Sequence, residues 1–513
     1  MDNPLRSPAT SPPPEPAPGR SRRSRRSRRP RRPRRMLVRV LVALVVLGGA
    51  LGAVWPALPG QRQPARPTAP GVPGAPGAPG APGKEVALRA VTAGVPAALS
   101  GLSELIADRQ RRVRTAPRDA RAWAELGSAY VERGRRTADP ADFPAADRAL
   151  RTSLRLGPER NADASAALAA LAVARRDFPA ARTWAEAAVK AAPERGAAYA
   201  LLIEACTGLG DHKAVGRALD KLLKLDHSPA ARARAAAVYR DRGWREDAEA
   251  QVADAVASAT APVERAAYLE QAGQYAWERG ALDDALRCFG AALRLDPALR
   301  DAEAGRARTL ASLDRTEEAV RAYGRALGPR PRPEHLLELG ELYESLGREE
   351  QAEDAYERVR ERAGQDAAAG VDDELVLGRL EADHGDAESA VGRLRAEWRL
   401  RPATEVADAL GWALHRDGYD EEALEFVTAA TDATKGGGVR NALYAFHRGT
   451  VEGGLGMSGA ARRHLEQALR TAPSFSPLWA PDAAEALDEL GEPVPADAPA
   501  GVDVAAEFTA PPS

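Results

Sequence analysis

LLELGELYESLGREEQAEDAYERV (336–359) is the stretch that decides the fold. Its first half sets a large apolar residue, then the pair Leu339-Gly340, then an aromatic at Tyr343, so that one face of a helix is apolar. Gly347 interrupts the pattern, and a second helical run follows with Ala352 and Tyr356 four residues apart. The pattern returns in AWAELGSAY (122–130), GALDDALRCFGAALRLDP (280–297) and DALGWALHRDGYDEEAL (408–424). Between Trp123 and Pro473 it occurs about ten times at a spacing of roughly 34 residues, a period that means stacked helical hairpins.

Each copy follows one physical logic. Small residues let two helices approach, large ones fill the gap between them, and a glycine (Gly280, Gly347, Gly385, Gly418, Gly456) ends the first helix. A lone hairpin cannot bury its apolar face, so stability must come from stacking. The expected fold class is all-α: an α-solenoid of about ten hairpins over 117–473, preceded by a single N-terminal transmembrane helix. Such a chain presents a surface, and the repeats supply no chemistry.

The copies resemble the tetratricopeptide repeat (TPR) family across about 117–473. The copy at 336–364 carries the likeness through Leu336, Leu339, Gly340, Tyr343, Ala352 and Tyr356. The copy at 269–297 does so through Leu269, Gly273, Ala285, Phe289, Ala292 and Pro297. The first copy departs by an insertion, RRTADPAD (135–142). The segments TADPADFPAADRAL (137–150), VADALGWALHRDG (406–418) and RTAPSFSPLWAPDAAEAL (470–487) are also similar to bacterial extracytoplasmic repeat proteins, a likeness that brings no biochemical activity with it. Residues 85–116 read as an N-terminal capping helix with Leu99, Leu102, Leu105 and Ile106 on one face. Residues 474–491 read as the opposite cap, where Phe475, Leu478 and Trp479 cover the open end.

Charge is distributed unevenly. The net charge is −1, yet residues 1–39 hold thirteen arginines against Asp2 and Glu15, which is +11 and leaves −12 for the remainder. Residues 1–35 read as an Arg-rich cytoplasmic arm. MLVRVLVALVVLGGALGAVWPAL (36–58) follows, apolar except for Arg39 and just long enough to cross a bilayer. Positive charge stays on the cytoplasmic side, so the repeats are expected outside the cell membrane on a single-pass anchor. The alternative is secretion after signal-peptide cleavage, with Met36 as a possible start. Residues 59–84 form a Pro/Gly/Ala-rich linker, and 492–513 form a disordered tail.

No motif for catalysis rises above this background. Cys206 and Cys288 lie in different repeats, too far apart for a disulfide. The seven histidines fit no metal spacing, and no nucleophile elbow occurs. The expectation is therefore a non-enzyme without cofactor, metal or nucleic-acid partner.

The TPR resemblance implies that the first helix of each hairpin lines a concave wall. In the early copies its wall positions are small (Ala124, Ser128, Ala166, Ala170, Ala200); later they become large and polar. Glu270, Gln274, Trp277, Glu341, Arg379, Asp408, Trp412, His415 and Arg416 are the candidate partner-binding residues, since Trp and Arg favour hot spots. Trp412, following Leu410-Gly411, is expected to point outward. The family's cytosolic chaperone adaptors clamp a carboxylate with Lys and Asn on this wall, and those residues are missing here. The function expected is a protein- or peptide-binding scaffold; the alternative is a cell-wall polysaccharide binder whose tryptophans stack on sugars.

Overall fold

The computed structural model describes residues 83–158, 161–433 and 438–491. The arm at 1–35, the span at 36–58, nearly all of the 59–84 linker and the tail at 492–513 lie outside them. The described residues belong to the unit spanning 77–513. Among the described residues every regular element is helical, and no helix is long and apolar enough to cross a membrane.

Two helices, α1 (Gly83–Ala93) and α2 (Leu99–Thr115), occupy the region expected to hold one capping helix; Gly94, at φ 73°, breaks them apart. Ten hairpins follow. They are α3 (Ala120–Thr137) with α4 (Phe143–Leu156), α5 (Ala162–Ala174) with α6 (Phe178–Ala191), and α7 (Gly196–Gly208) with α8 (His212–Leu225). Next come α9 (Pro229–Asp241) with α10 (Arg245–Ser258), α11 (Pro262–Glu278) with α12 (Leu282–Leu295), and α13 (Arg300–Ser312) with α14 (Thr316–Leu327). The last four are α15 (Pro333–Ser345) with α16 (Glu349–Ala368), α17 (Glu374–His384) with α18 (Ala387–Leu400), α19 (Thr404–Arg416) with α20 (Asp420–Thr431), and α21 (Ala442–Gly454) with α22 (Ser458–Thr471). The C-terminal cap is α23 (Trp479–Glu489).

The sequence motif is the packing. A Cβ built on Gly340 would stand 2.3 Å from the Tyr356 ring, so only glycine in α15 lets the α16 aromatic in. Phe289, fully buried, fills the space between Gly273 of its own hairpin and Gly305 of the next. One large side chain thus joins two repeats, and the core runs on from hairpin to hairpin. Side-chain caps hold several helix starts: Asp119, Asn161, Asp177, Asp211, Ser228, Asp386 and Asn441 each accept a backbone N–H of the first turn.

The solenoid also closes on itself. The tip of each of the first five hairpins meets the connection that follows the hairpin five places on. Arg332 donates to the Arg135 carbonyl at 3.2 Å, and Arg330 pairs with Asp139 at 3.0 Å. The Asp372 amide donates to the Arg175 carbonyl, while Arg176 binds the Asp372 carbonyl, Asp373 and Glu334. Gly210 abuts Pro402, Gly243 abuts Gly438, and Gly280 abuts Pro473. The insertion at 135–142, which lengthens α3 and adds a short 3₁₀ turn (Pro140–Asp142), supplies much of the first contact. Within it, Ala138 accepts from Arg362. Also within it, the buried Arg136 side chain pairs with buried Asp296 at 2.6 Å.

Candidate functional site

The first helices of six successive hairpins, α11 to α21, face inward around a cavity of about 830 Å³. Arg240 of α9 stands at one side, and the segment Ala472–Ala484 closes another. Inward positions recur every three or four residues: Glu334, Glu338, Glu341 and Ser345 on α15, and Val376, Arg379 and Asp383 on α17.

A polar chain ties these helices together. Arg240 donates to both Glu278 oxygens, at 3.0 and 2.7 Å, and Gln274 donates to the same carboxylate at 3.0 Å. Gln274 in turn accepts from Arg308 at 2.7 Å. Arg308 lies over the Trp277 ring at 4.8 Å and pairs with Glu338 at 3.1 Å. The Trp277 indole donates to Ser312, whose hydroxyl reaches the Ser474 carbonyl of the capping segment at 3.0 Å. Burial works to raise Glu278, but the Arg240 charge and the hydrogen bonds from Arg240 and Gln274 together outweigh it and hold the carboxyl below its ordinary value.

At the other end Trp412 stacks on His447, with ring centres 4.2 Å apart and planes 15° apart, and meets Trp479 edge-on at 5.6 Å. Its indole donates to Asp383 at 3.0 Å, and His447 Nδ1 lies 3.0 Å from Asp408. Trp412 faces the cavity, yet it is only 4% exposed, where a free surface ring was expected from Leu410-Gly411. The cause is that α19 packs against α17, α18, α20 and α21, which buries every residue from Val406 to Leu414.

Six of the nine sequence candidates line the cavity: Gln274, Trp277, Glu341, Arg379, Asp408 and Trp412. Glu270, His415 and Arg416 do not. Glu270 faces Asp301, Arg308 and Arg332; burial and the Asp301 charge push its carboxyl up to about 8. His415 sits at the end of α19, 2.5 Å from Asp420 of its own hairpin. Arg416 is exposed and reaches the Ala382 carbonyl at 3.4 Å and Asp383 at 3.5 Å. Sequence reasoning missed Arg240, Arg308, Glu338, Asp383, Tyr444 and His447. The three-and-four spacing on each first helix could have found Glu338 and Asp383; the contribution of the capping segment left no such signal.

The cavity wall holds eight carboxylates (Glu278, Asp314, Glu334, Glu338, Glu341, Asp383, Glu405, Asp408) against three arginines (Arg240, Arg308, Arg379). Burial and the like charges of Asp383 and Glu338 push Glu341 up to about 8. Among the described residues no group of His, Cys, Asp or Glu is arranged to hold a metal ion. Cys206 is buried and Cys288 half-buried, and both are free thiols. The small wall positions of the early hairpins border a separate cavity of about 200 Å³, edged by Val91–Val95 at the end of α1 and the start of the α1–α2 connection. Arg195 fastens that connection by donating to the Thr92 carbonyl at 2.9 Å.

A solenoid of paired helices around an inward-facing wall defines a repeat protein of the interaction class. The tetratricopeptide repeat family model matches residues 270–331 and 305–368, so this stretch is built of tetratricopeptide repeats. No curated relative matches it. Among solved structures it is similar to the human IFIT1 dimer with PPP-AAAA, at 18% identity and TM-score 0.43 over 60% of this chain and 71% of that one. It is similar to Pseudomonas aeruginosa pilF at 21% identity and TM-score 0.29, over 41% and 94%. A third likeness is to the APC/C hetero-tetramer Cut9-Hcn1, at 14% identity and TM-score 0.30 over 75% and 92%.

Proposed function

We propose that this chain is a non-catalytic scaffold that takes a protein or peptide partner into the cavity of its later repeats, displayed outside the cytoplasmic membrane on the span at 36–58. Tetratricopeptide repeats generally mediate protein–protein interaction. The observation that carries the reading is the cavity itself: about 830 Å³, walled by first helices and covered by the terminal segment, within the size range of binding sites. Its acidic excess disfavours nucleic acid, whose phosphates need cations. The cell-wall alternative loses its main support, because Trp412 is stacked on His447 and Trp277 lies under Arg308 rather than offering a free ring to a sugar.

A photo-crosslinking residue at Ser345, exposed on the cavity wall, should capture a partner in membranes, while one at Asp354 on the outer face of α16 should not. Equal capture at both positions, or binding to isolated wall without any protein adduct, would sink the reading. The membrane placement rests on the arginine run before Met36. Protease added to spheroplasts should remove the repeats and spare the arm; protected repeats would reverse the orientation.

A further inference from the structure

We propose that the cavity accepts a short basic segment of a partner protein, one of whose arginines or lysines pairs with Glu341. The inference rests on the scaffold reading and adds the chemistry of the occupant.

Most charges on the wall are already matched. Glu278 is held by Arg240, and Glu338 by Arg308. Glu334 pairs with Arg176 and Glu405 with Arg401. Asp408 faces His447, and Asp383 accepts from Trp412 and lies near Arg416. Glu341 stands apart: in mid-wall on α15, it makes no hydrogen bond or ion pair among the described residues. Its own helix sets Glu338 and Glu344 beside it, α17 brings Arg379 and Asp383, and the Tyr323 and Tyr356 rings approach from α14 and α16. The one cation in this set, Arg379, is shared with Tyr444, Glu405, Asp408 and Glu334.

The wall therefore has a surplus of negative charge and, apart from Asp314, which is exposed, one carboxyl with no counter-ion. An entering guanidinium or ammonium supplies it, while Leu337, Leu342 and Ala409 offer apolar surface to its methylene stem. An acidic or phosphorylated segment would meet a wall whose acidic groups outnumber its arginines. Because burial and its acidic neighbours keep Glu341 protonated near neutrality, cation entry must expel a proton. Binding then strengthens as pH rises from about 6.5 to about 8.5.

The probes are a fluorescent alternating Ala-Arg octapeptide and its Ala-Glu counterpart, titrated onto the full chain in detergent. Anisotropy reports affinity, and calorimetry in two buffers of different ionisation enthalpy reports protons. The basic peptide should bind, gain on the order of tenfold in affinity across that pH range and release a proton. Glu341→Gln should lose on the order of tenfold at about pH 8.5, flatten the pH profile and abolish proton release, whereas Asp354→Asn should change none of these. Unaltered binding and pH profile in Glu341→Gln would overturn the proposal, since attraction to an acidic surface would account for them. Binding only after residues 1–35 are removed would overturn it too, by making the chain's own arm the occupant. If the basic peptide fails while the Ser345 crosslinker still captures a partner, the chemistry is wrong and the scaffold reading stands. If both fail, both fall.

Discussion

Gly210 and Gly418 occupy the same place in the repeat and share a left-handed backbone, with φ 69° and 88°. Their surroundings differ. A Cβ on Gly210 would stand 2.3 Å from the Pro402 carbonyl oxygen, whereas nothing lies within 4 Å of one on Gly418. Gly418→Ala should cost about 1–2 kcal/mol, the strain of the conformation alone. Gly210→Ala should cost a further ~1–3 kcal/mol from the clash, and denaturant unfolding of the two variants reads the difference directly. The turn glycines thus look alike in sequence while only the early ones carry a tertiary contact. Trp412 teaches a related point. Buried against His447, Trp479 and Phe446, its replacement by Ala should cost about 3–5 kcal/mol of stability, so any loss of binding must be judged against a variant that is still folded. An unfolding midpoint unchanged from that of the parent would contradict the packing described.

At the scale of helices, the period placed the hairpins because Gly340 with Tyr356 and Gly273 with Phe289 are local pairs, close in sequence and repeated. Inward-facing Gln274, Glu341 and Arg379 were legible for the same reason: a helix face follows from its own spacing. Asp408 and Trp412 were legible as wall residues but not as buried ones. Their burial comes from α21 and α23, which no spacing within α19 encodes. His415 and Arg416 were misplaced because α19 ends there, so they turn toward Asp420 and Asp383. The charge state of the first helices is equally a product of packing. Glu270 on α11 has a carboxyl near 8 in the folded chain, well above its ordinary 4.5. The folded state therefore binds the extra proton, and stability declines as pH rises between those values and levels off above them. Glu270→Gln should remove that decline: the variant should match the parent below about pH 4.5 and exceed it at about pH 8.5 by roughly 1–3 kcal/mol, less than the full shift because Glu270 is only half-buried and water screens its charge. Thermal unfolding across the range tests it, and a variant less stable than the parent at high pH would refute the assignment.

Over the whole repeat unit, the five-hairpin closure changes what kind of solenoid this is. In an open array each repeat feels only its neighbours, so a lesion stays local. Here Arg176, between α5 and α6, binds Asp373 and the Asp372 carbonyl about two hundred residues later, joining the second hairpin to the start of the eighth. No sequence period reveals such a contact, because it depends on small rotations summed over five repeats. Its consequence is measurable. Asp373 is 1% exposed at its side chain, so Arg176→Ala strands a buried carboxylate and should cost about 3–5 kcal/mol. Arg348→Ala breaks a pair between adjacent hairpins, Arg348 with an exposed Glu317, and should cost about 0–1 kcal/mol. The sharper distinction lies in where each loss is felt. Hydrogen exchange should quicken in both α5 and α17 for Arg176→Ala, with a larger radius of gyration in solution scattering as the coil loosens. For Arg348→Ala it should quicken only around α14 and α16, at constant radius. Faster exchange confined to α5 and α6 in Arg176→Ala would mean that the turns of the solenoid touch without holding one another, and the cavity would then owe its walls to neighbouring hairpins alone.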